Sequence, residues 1–352
     1  MDLLVLGIES SCDETALALV ENGIKVLASE VSSSVTKQAV FGGVVPEIAA
    51  REHVKALVPL YDSLMLKTGI KLDDIDAIAV TRGPGLIGSL LVGVSFAKSL
   101  ALLTGKPIIP VDHVHAHLHG ALLGLSDDCF KHFPSIGLVV SGGHTNIYYM
   151  ENETNFELLA STIDDACGEC FDKVGKTLGL PYPGGPHIEQ VARSGNPKRF
   201  SMPMMVAEKN RMEFSYSGLK THVLNSYKKA LLEIEGKDNF SDLGKEIVAD
   251  LCASFQEAAL DLIIRKIQSA LKFKSDAKSI IIAGGVAANQ RFAELMNSKV
   301  KIPHYFPKLE YCSDNAAMIA AYGFFVYQSE KSKDKFSIMN WEPYSRYGQS
   351  SH

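Results

Sequence analysis

The chain spells out one strand-and-turn unit twice, and that repetition limits its folds more than any other feature. Leu3 to Ile8 is an apolar, β-rich run; the polar turn Glu9-Ser-Ser-Cys-Asp-Glu14, an alternating run from Thr15 to Val20 and Asn22-Gly23 complete the signature of a β-hairpin. Far downstream, Ile136 to Val140 is again a short apolar run, followed by Ser141-Gly-Gly-His-Thr145, a β-type run over Asn146 to Met150, and a polar turn at Glu151 to Asn155. The next parts repeat as well. Ile75 to Thr81 feeds the glycine turn Gly83-Pro-Gly-Leu-Ile-Gly88 and a helix, as Ser279 to Ala283 feeds Gly284-Gly285 and a helix through Glu294. A strand, a glycine turn and a helix N-terminus in each half put backbone N–H groups and a positive helix end where an anion can bind. The predicted fold class is α/β, with two duplicated lobes facing across a central cleft, and 352 residues leave room for both.

The segments between these blocks read mostly as helices packed on sheets. Pro46 to Leu66 and Ile247 to Leu271 are amphipathic at helical spacing. The most apolar long window, Leu86 to Leu103, carries Ser89, Ser95, Lys98 and Ser99, which a membrane span disfavours, so it is expected to be a buried helix. Pro181 to Met205, rich in Pro and Gly, reads partly as a long loop, and the polar tail from Ser329 is expected to fray. The start of the chain carries no secretory pattern, and six cysteines are few for this length, so a reduced, cytoplasmic compartment is expected. Cys167-Gly-Glu-Cys170 has redox or zinc spacing, but with no second such pair it reads as two incidental thiols. A formal charge of −5 argues against a chain coated in positive charge. Even so, Arg193 to Lys229 holds eight Lys or Arg against Glu208 and Glu213, which points to an anionic partner on one face or to a solvated basic surface.

The chemistry concentrates at His113-Val-His-Ala-His117-Leu-His119, four histidines at alternate positions after the strand Pro107 to Val111. The following Gly-Ala-Leu-Leu favours a helix beginning near Asp112. At about 100° per residue, His113 and His117 share one face while His115 and His119 lie nearly opposite. Histidines at i and i+4 can reach one ion, although a polar helix face is the plainer reading. A third ligand must come from elsewhere: Asp314, before the predicted helix Ala316 to Tyr322, either caps that helix or turns inward to the ion. Gly83 to Gly88 mimics a dinucleotide fingerprint, but it contains a proline and lacks an acid at a strand end about twenty residues on. There is no Walker lysine. Asn289, early in its helix, can reach a sugar or base edge or remain a surface amide.

These residues together resemble one family: the TsaD-type tRNA N6-adenosine threonylcarbamoyltransferases, within the actin, sugar-kinase and Hsp70 superfamily. The resemblance runs from about Leu6 to Tyr322. It rests on Gly7-Ile-Glu-Ser-Ser-Cys-Asp-Glu-Thr15, Gly42-Gly-Val-Val-Pro-Glu47, Gly83-Pro-Gly85, His113 and His117, Val140-Ser-Gly-Gly-His-Thr145, Phe171-Asp-Lys173, Tyr182-Pro-Gly-Gly-Pro186, Phe214-Ser-Tyr-Ser-Gly-Leu-Lys220, Gly284-Gly-Val-Ala-Ala-Asn289 and Ser313-Asp-Asn315. It implies an actin-like fold, with residues 1–112 and 316–352 in an N-terminal lobe, 113–315 in a C-terminal lobe, and the nucleotide and metal cleft between them. It implies a metal site of His113, His117 and Asp314 for Fe2+ or Zn2+, and ligand contacts from Val139, Val140, Ser141, Gly142, Gly143, Asp172, Gly185 and Asn289. The activity it implies is transfer of a threonylcarbamoyl group from threonylcarbamoyl-AMP to N6 of the tRNA adenosine beside the anticodon, with release of AMP. The partners it implies are a TsaB-like paralogue and a TsaE-like ATPase.

A mixed anhydride is already activated, so such an enzyme needs positioning and charge stabilisation more than a strong nucleophile. Asp13 or Glu14 is the candidate to orient the incoming amine or accept its proton. A sugar kinase or ATPase on the same fold is the alternative, but Mg2+ chemistry has no need of a histidine pair. A metalloprotease would need the glutamate of HExxH, absent here, and a non-catalytic partner subunit would be expected to lose the histidines.

Overall fold

A computed structural model describes residues 2–41, 43–125, 133–203, 212–235, 240–330, 334–337 and 340–346. By chain contacts these divide into one unit of residues 1–133, 151–155 and 305–352 and a second of 134–150 and 156–304.

In the first unit, β1 (Leu4–Glu9) pairs antiparallel with β2 (Glu14–Glu21), Gly7 opposite Ala18, as the predicted hairpin requires. Asn22 and Gly23 both take positive φ (53° and 73°), the tight turn that returns the chain into β3 (Lys25–Ser33). After the short α1 (Val35–Ala39), α2 (Pro46–Thr68) starts with proline in its first turn and ends where the Gly69 N–H reaches Met65 O at 2.9 Å. Then β4 (Ala77–Gly83) lies parallel to β1, α3 (Ile87–Thr104) crosses over, and β5 (Ile108–Asp112) completes the sheet in the order β3-β2-β1-β4-β5. The helix α4 (His113–Gly120) follows directly. The core of this first sheet is Leu6, Ile8, Leu17, Leu19, Ile78 and Val80 under α2 and α3.

The second unit repeats the plan. β6 (Ser135–Val140) and β7 (Thr145–Met150) form the hairpin and β8 (Phe156–Thr162) the third strand. The helices α5 (Cys167–Thr177) and α6 (Gly184–Ala192), the short β9 (Glu213–Phe214), and α7 (Ser217–Ile234) and α8 (Phe240–Phe273) follow. Next come β10 (Ser279–Ala283), parallel to β6, α9 (Gln290–Lys299) and β11 (His304–Tyr305). The sheet order β8-β7-β6-β10-β11 matches that of the first unit strand for strand, and β9 adds one edge. The chain then returns to the first unit as α10 (Ala316–Ser329), packed on β1 and α4.

Several expectations are corrected. The unit boundary falls near 133 rather than 112, because α4 packs against α10 and stays with the first sheet. The helix over 87–104 is buried on one face only: Leu90, Val94 and Ala97 face the core while Ile87, Leu91, Leu102 and Leu103 are exposed. It is long and apolar enough to cross a membrane by length and composition alone. The supposed loop at 181–205 contains α6, whose N-terminus packs so closely that a Cβ on Gly184 would meet Phe171 O at 2.7 Å; Met204 and Met205 lie outside the described residues. The tail does not wholly fray. Lys98 Nζ donates to Trp341 O (2.7 Å), Lys98 and Arg82 lie over the Trp341 ring, and the Tyr344 hydroxyl donates to Asp112 Oδ2 (2.7 Å). Aromatic and cationic contacts hold it where a count of polar residues predicted none.

Candidate active site

The histidine helix forms as expected. Asp112 is its N-cap, with Oδ1 accepting from the His115 N–H at 3.0 Å. His113 and His117 lie on one face, their ring centroids 4.7 Å apart. His119 lies opposite, stacked on Tyr322 at 4.6 Å, and burial lowers it to about 4, so it is a neutral packing residue. His115 also approaches Tyr322, at 6.1 Å. Neither belongs to the site.

The choice left open for Asp314 is decided by its neighbour. Asn315 caps α10, its Oδ1 accepting from the Met318 N–H at 3.0 Å, and Asp314 is left to face the histidines. Its Oδ1 stands 3.2 Å from His117 Nε2 and 3.6 Å from His113 Nε2, and the three ligand atoms lie within 4.8 Å of one another. The fit to a metal rests on His117: the residue is 1% exposed, and both ring nitrogens lack a hydrogen-bond partner, the Asp314 approach being short but poorly directed. A buried imidazole with both nitrogens unsatisfied is costly, and an ion among these three atoms would remove the cost at Nε2.

Glu9 organises His113 from behind, and the sequence reading missed it. Fully buried at the end of β1, its carboxylate accepts from the Ser11 N–H (2.5 Å) and the Thr81 hydroxyl (2.6 Å) and lies 3.1 Å from His113 Nδ1. Burial alone would raise the Glu9 carboxyl, but the charge and hydrogen bond of His113 outweigh it and hold it below its usual value. Burial pulls His113 down; Glu9 and then Asp314 outweigh that and lift it to about 9. A carboxylate behind a ligand histidine fixes the tautomer and presents Nε2 to an ion. The only signal in the sequence was a glutamate ending a buried strand before two serines.

Asp13 ends the loop between β1 and β2, and Glu14 opens β2. Glu14 accepts from the Ser33 hydroxyl at 3.0 Å, and burial, followed by the charge of Asp314, pushes its carboxyl up to about 9. A cation at the histidines would reverse the Asp314 contribution. The glycine turn at 83–88 is not an anion cradle. The Gly85 N–H donates to Ser345 O and the Leu86 N–H to Ser11 O, and the glycines serve close packing: a Cβ on Gly83 would lie 2.3 Å from Tyr344 O.

In the second unit, the loop Ser141–Gly143 occupies the place that Ser10–Asp13 holds in the first. Val139 and Val140 end the buried β6, Ser141 Oγ accepts from the His144 N–H (3.1 Å), and a Cβ on Gly142 or Gly143 would meet nothing within 4 Å. Gly284 passes under this loop with φ 93°, where a Cβ would stand 2.4 Å from Val140 O, so only glycine fits. The α5 N-terminus joins it through the Gly168 N–H to Ser141 O (3.1 Å). Asp172 on α5 accepts from the Gly184 N–H at 2.7 Å, tying α6 and Gly185 to the same cluster; burial raises its carboxyl against the pull of the Gly184 and Gly185 N–H groups. Asn289 is not a surface amide: Oδ1 caps α9 at the Phe292 N–H (3.0 Å) and Nδ2 donates to Gln256 (2.9 Å), leaving one N–H for a ligand.

Cys167 and Cys170 are buried free thiols; burial pushes Cys167 up to about 12 and Cys170 higher still. They join no cluster of metal ligands among the described residues. In the basic segment, Arg199 pairs with Asp250 (2.6 Å) and Lys220 with Asp165 (2.8 Å), while Lys198, Lys228 and Lys229 are exposed. Glu208, Lys209 and Arg211, like Gly42 and Cys129, lie outside the described residues.

A sheet plan used twice, with a His/His/Asp cluster in one unit and an open glycine loop in the other, defines the α/β class of actin-like folds. The family profile described as tRNA N6-adenosine threonylcarbamoyltransferase (TsaD) matches residues 25–321. The protein of that name from Moorella thermoacetica is 44% identical over 328 residues, covering 92% of each chain. The one from Fervidobacterium nodosum is 46% identical over 322 residues, covering 91% of this chain and 92% of its own. Component A of (R)-2-hydroxyglutaryl-CoA dehydratase from Acidaminococcus fermentans superposes with a TM-score of 0.52 at 15% identity, over 93% of this chain and all of that one, a likeness of fold alone. The chain belongs to the TsaD family. Its activity is transfer of a threonylcarbamoyl group to N6 of adenosine in tRNA, and the phosphotransferase alternative is set aside.

Proposed function

We propose that the donor is threonylcarbamoyl-AMP and the acceptor the adenosine at position 37 of tRNAs reading codons that begin with adenine. The adenylate would lie on the open loop Val139 to Gly143 and meet Asp172, Gly185 and Asn289. His113, His117 and Asp314 would hold one Fe2+, with Zn2+ the other candidate, since imidazole and carboxylate suit both. Bound there, the ion would supply Lewis-acid polarisation and neutralise phosphate charge. The observation that carries this reading is His117, buried with two unsatisfied nitrogens beside a carboxylate that its neighbour has released from capping.

The protein's part is positioning. N6 attacks the carbamoyl carbon, the N–C bond forms, the bond from that carbon to the phosphate oxygen breaks, and AMP departs. The N6 proton passes to Asp13, or to Glu14 once a cation at the histidines offsets the Asp314 charge that helps keep its carboxyl protonated. Exposed Lys198, Lys228 and Lys229 give tRNA phosphates a landing surface. The exposed apolar side chains Val54 and Val58 on α2 and Ile87 and Leu91 on α3 are where a TsaB-like paralogue would dock, with a TsaE-like ATPase joining the assembly in the cytoplasm. The test supplies threonylcarbamoyl-adenylate and unmodified tRNA to the metal-loaded chain, with and without partner proteins, and assays the modified nucleoside. Its appearance supports the donor assignment; its absence under every condition refutes it.

A further inference from the structure

His53 plays no part in the site so far, yet it is 1% exposed and projects from α2 into the turn that carries both acids. Its Nε2 lies 3.0 Å from Cys12 O and its Nδ1 2.7 Å from Thr15 Oγ1. A carbonyl can only accept, so Nε2 carries the proton, Nδ1 is left as an acceptor, and the Thr15 hydroxyl donates to it. Burial lowers this histidine from its usual value, in keeping with a neutral ring that uses both nitrogens. Residues 12 and 15 bracket Asp13 and Glu14. One imidazole therefore holds both ends of the short span on which the two carboxylates are strung.

We infer that His53 is a positioning residue for the transfer reaction, fixing Asp13 and Glu14 by its paired bonds to Cys12 and Thr15. The inference rests on the proposed role of those acids. The neighbouring Val54 and Val58 face outward from α2, so His53 ties the acid turn to a helix whose other face is exposed. Among the described residues, no other side chain of α2 hydrogen-bonds to the turn. The Ser34 backbone and side chain hold Asp13 O instead, from the far side of the hairpin.

The experiment measures kcat and KM for transfer from threonylcarbamoyl-adenylate to tRNA by the full chain with its partner proteins, alongside bound metal and thermal midpoint. His53→Phe and, separately, Thr15→Val are expected to lower kcat by about tenfold to a hundredfold, the effect of misplacing a reacting group by about an ångström. KM for the adenylate and metal content stay unchanged. His53→Gln, which can keep a donor for Cys12 O, recovers part of the loss. Adding His53→Phe to the Asp13→Ala, Glu14→Ala double variant costs nothing further. Unchanged kcat in folded, metal-loaded His53→Phe overturns the inference, and should that variant fail to fold, unchanged kcat in Thr15→Val overturns it. Wild-type kcat in the double-alanine variant alone defeats the acid reading first, which tells the two failures apart.

Discussion

Glu9→Gln changes almost no volume and should still disable the metal site. The Glu9 carboxylate accepts from Ser11 and Thr81 and faces His113 Nδ1 at 3.1 Å. Because an ionised carboxylate cannot donate, it keeps a proton on Nδ1, so the proton that an ion must displace is the one on Nε2, 3.6 Å from Asp314. Glutamine offers one acceptor and one donor. The Ser11 N–H claims the oxygen, so the amide N–H faces Nδ1, which must then accept; the ring's one proton then sits on Nε2 and occupies the lone pair the ion needs. Losing such an orienting partner typically weakens metal binding tenfold to a hundredfold, about 1.4 to 2.8 kcal/mol. The assay is competition of metal-stripped protein against a chelator of known affinity, for Fe2+ without oxygen and for Zn2+, with circular dichroism to confirm the fold. Unaltered affinity in a folded variant would refute the tautomer argument.

Metal affinity should rise with pH up to about 9, because binding must displace a proton from a His113 that Glu9 and Asp314 hold charged to that pH; a chelator titration across pH checks it, and a flat profile from pH 6 to about 9 contradicts it. Asp112→Ala removes the α4 cap and the Tyr344 bond and should lower unfolding stability by about 1–2 kcal/mol in denaturant titration. Gly7→Ala would drive a Cβ to 2.1 Å from Ala316 O in α10 and should cost about 3 kcal/mol or more. Gly244→Ala, in α8 with nothing within 4 Å, should be neutral or add up to about 1 kcal/mol in the same titration.

The duplication was legible because buried strands write themselves as apolar runs: β1, β6 and β10 came straight from Leu3–Ile8, Ile136–Val140 and Ser279–Ala283. The strands β3 and β8 were not, since each is largely half-exposed and its residues follow no clean alternation. Hydropathy placed a helix over 87–104 but could not say that only one face is covered. Glycine and proline at 184–186 suggested a loop, although in a helix's first turn they allow the close approach of α6 to α5. In the site, the helical period separated His113 and His117 from His115 and His119 correctly. Asp314 was legible only as a choice, because two polar residues stood before α10 and the geometry of Asn315 decided which became the cap. Glu9 and His53 stayed hidden. Their roles depend on partners 104 and 41 residues away, and no local spacing reveals such pairings.

Metal binding by His113, His117 and Asp314 is the property on which the proposed chemistry depends. The chain is to be purified and reconstituted under reducing, oxygen-free conditions and its ion content measured by elemental analysis beside His117→Ala and Asp314→Ala, each checked for folding. The predicted result is one ion per wild-type chain and loss of that ion in both variants. A wild-type chain that retains no ion, or folded variants that retain it in full, would contradict the site.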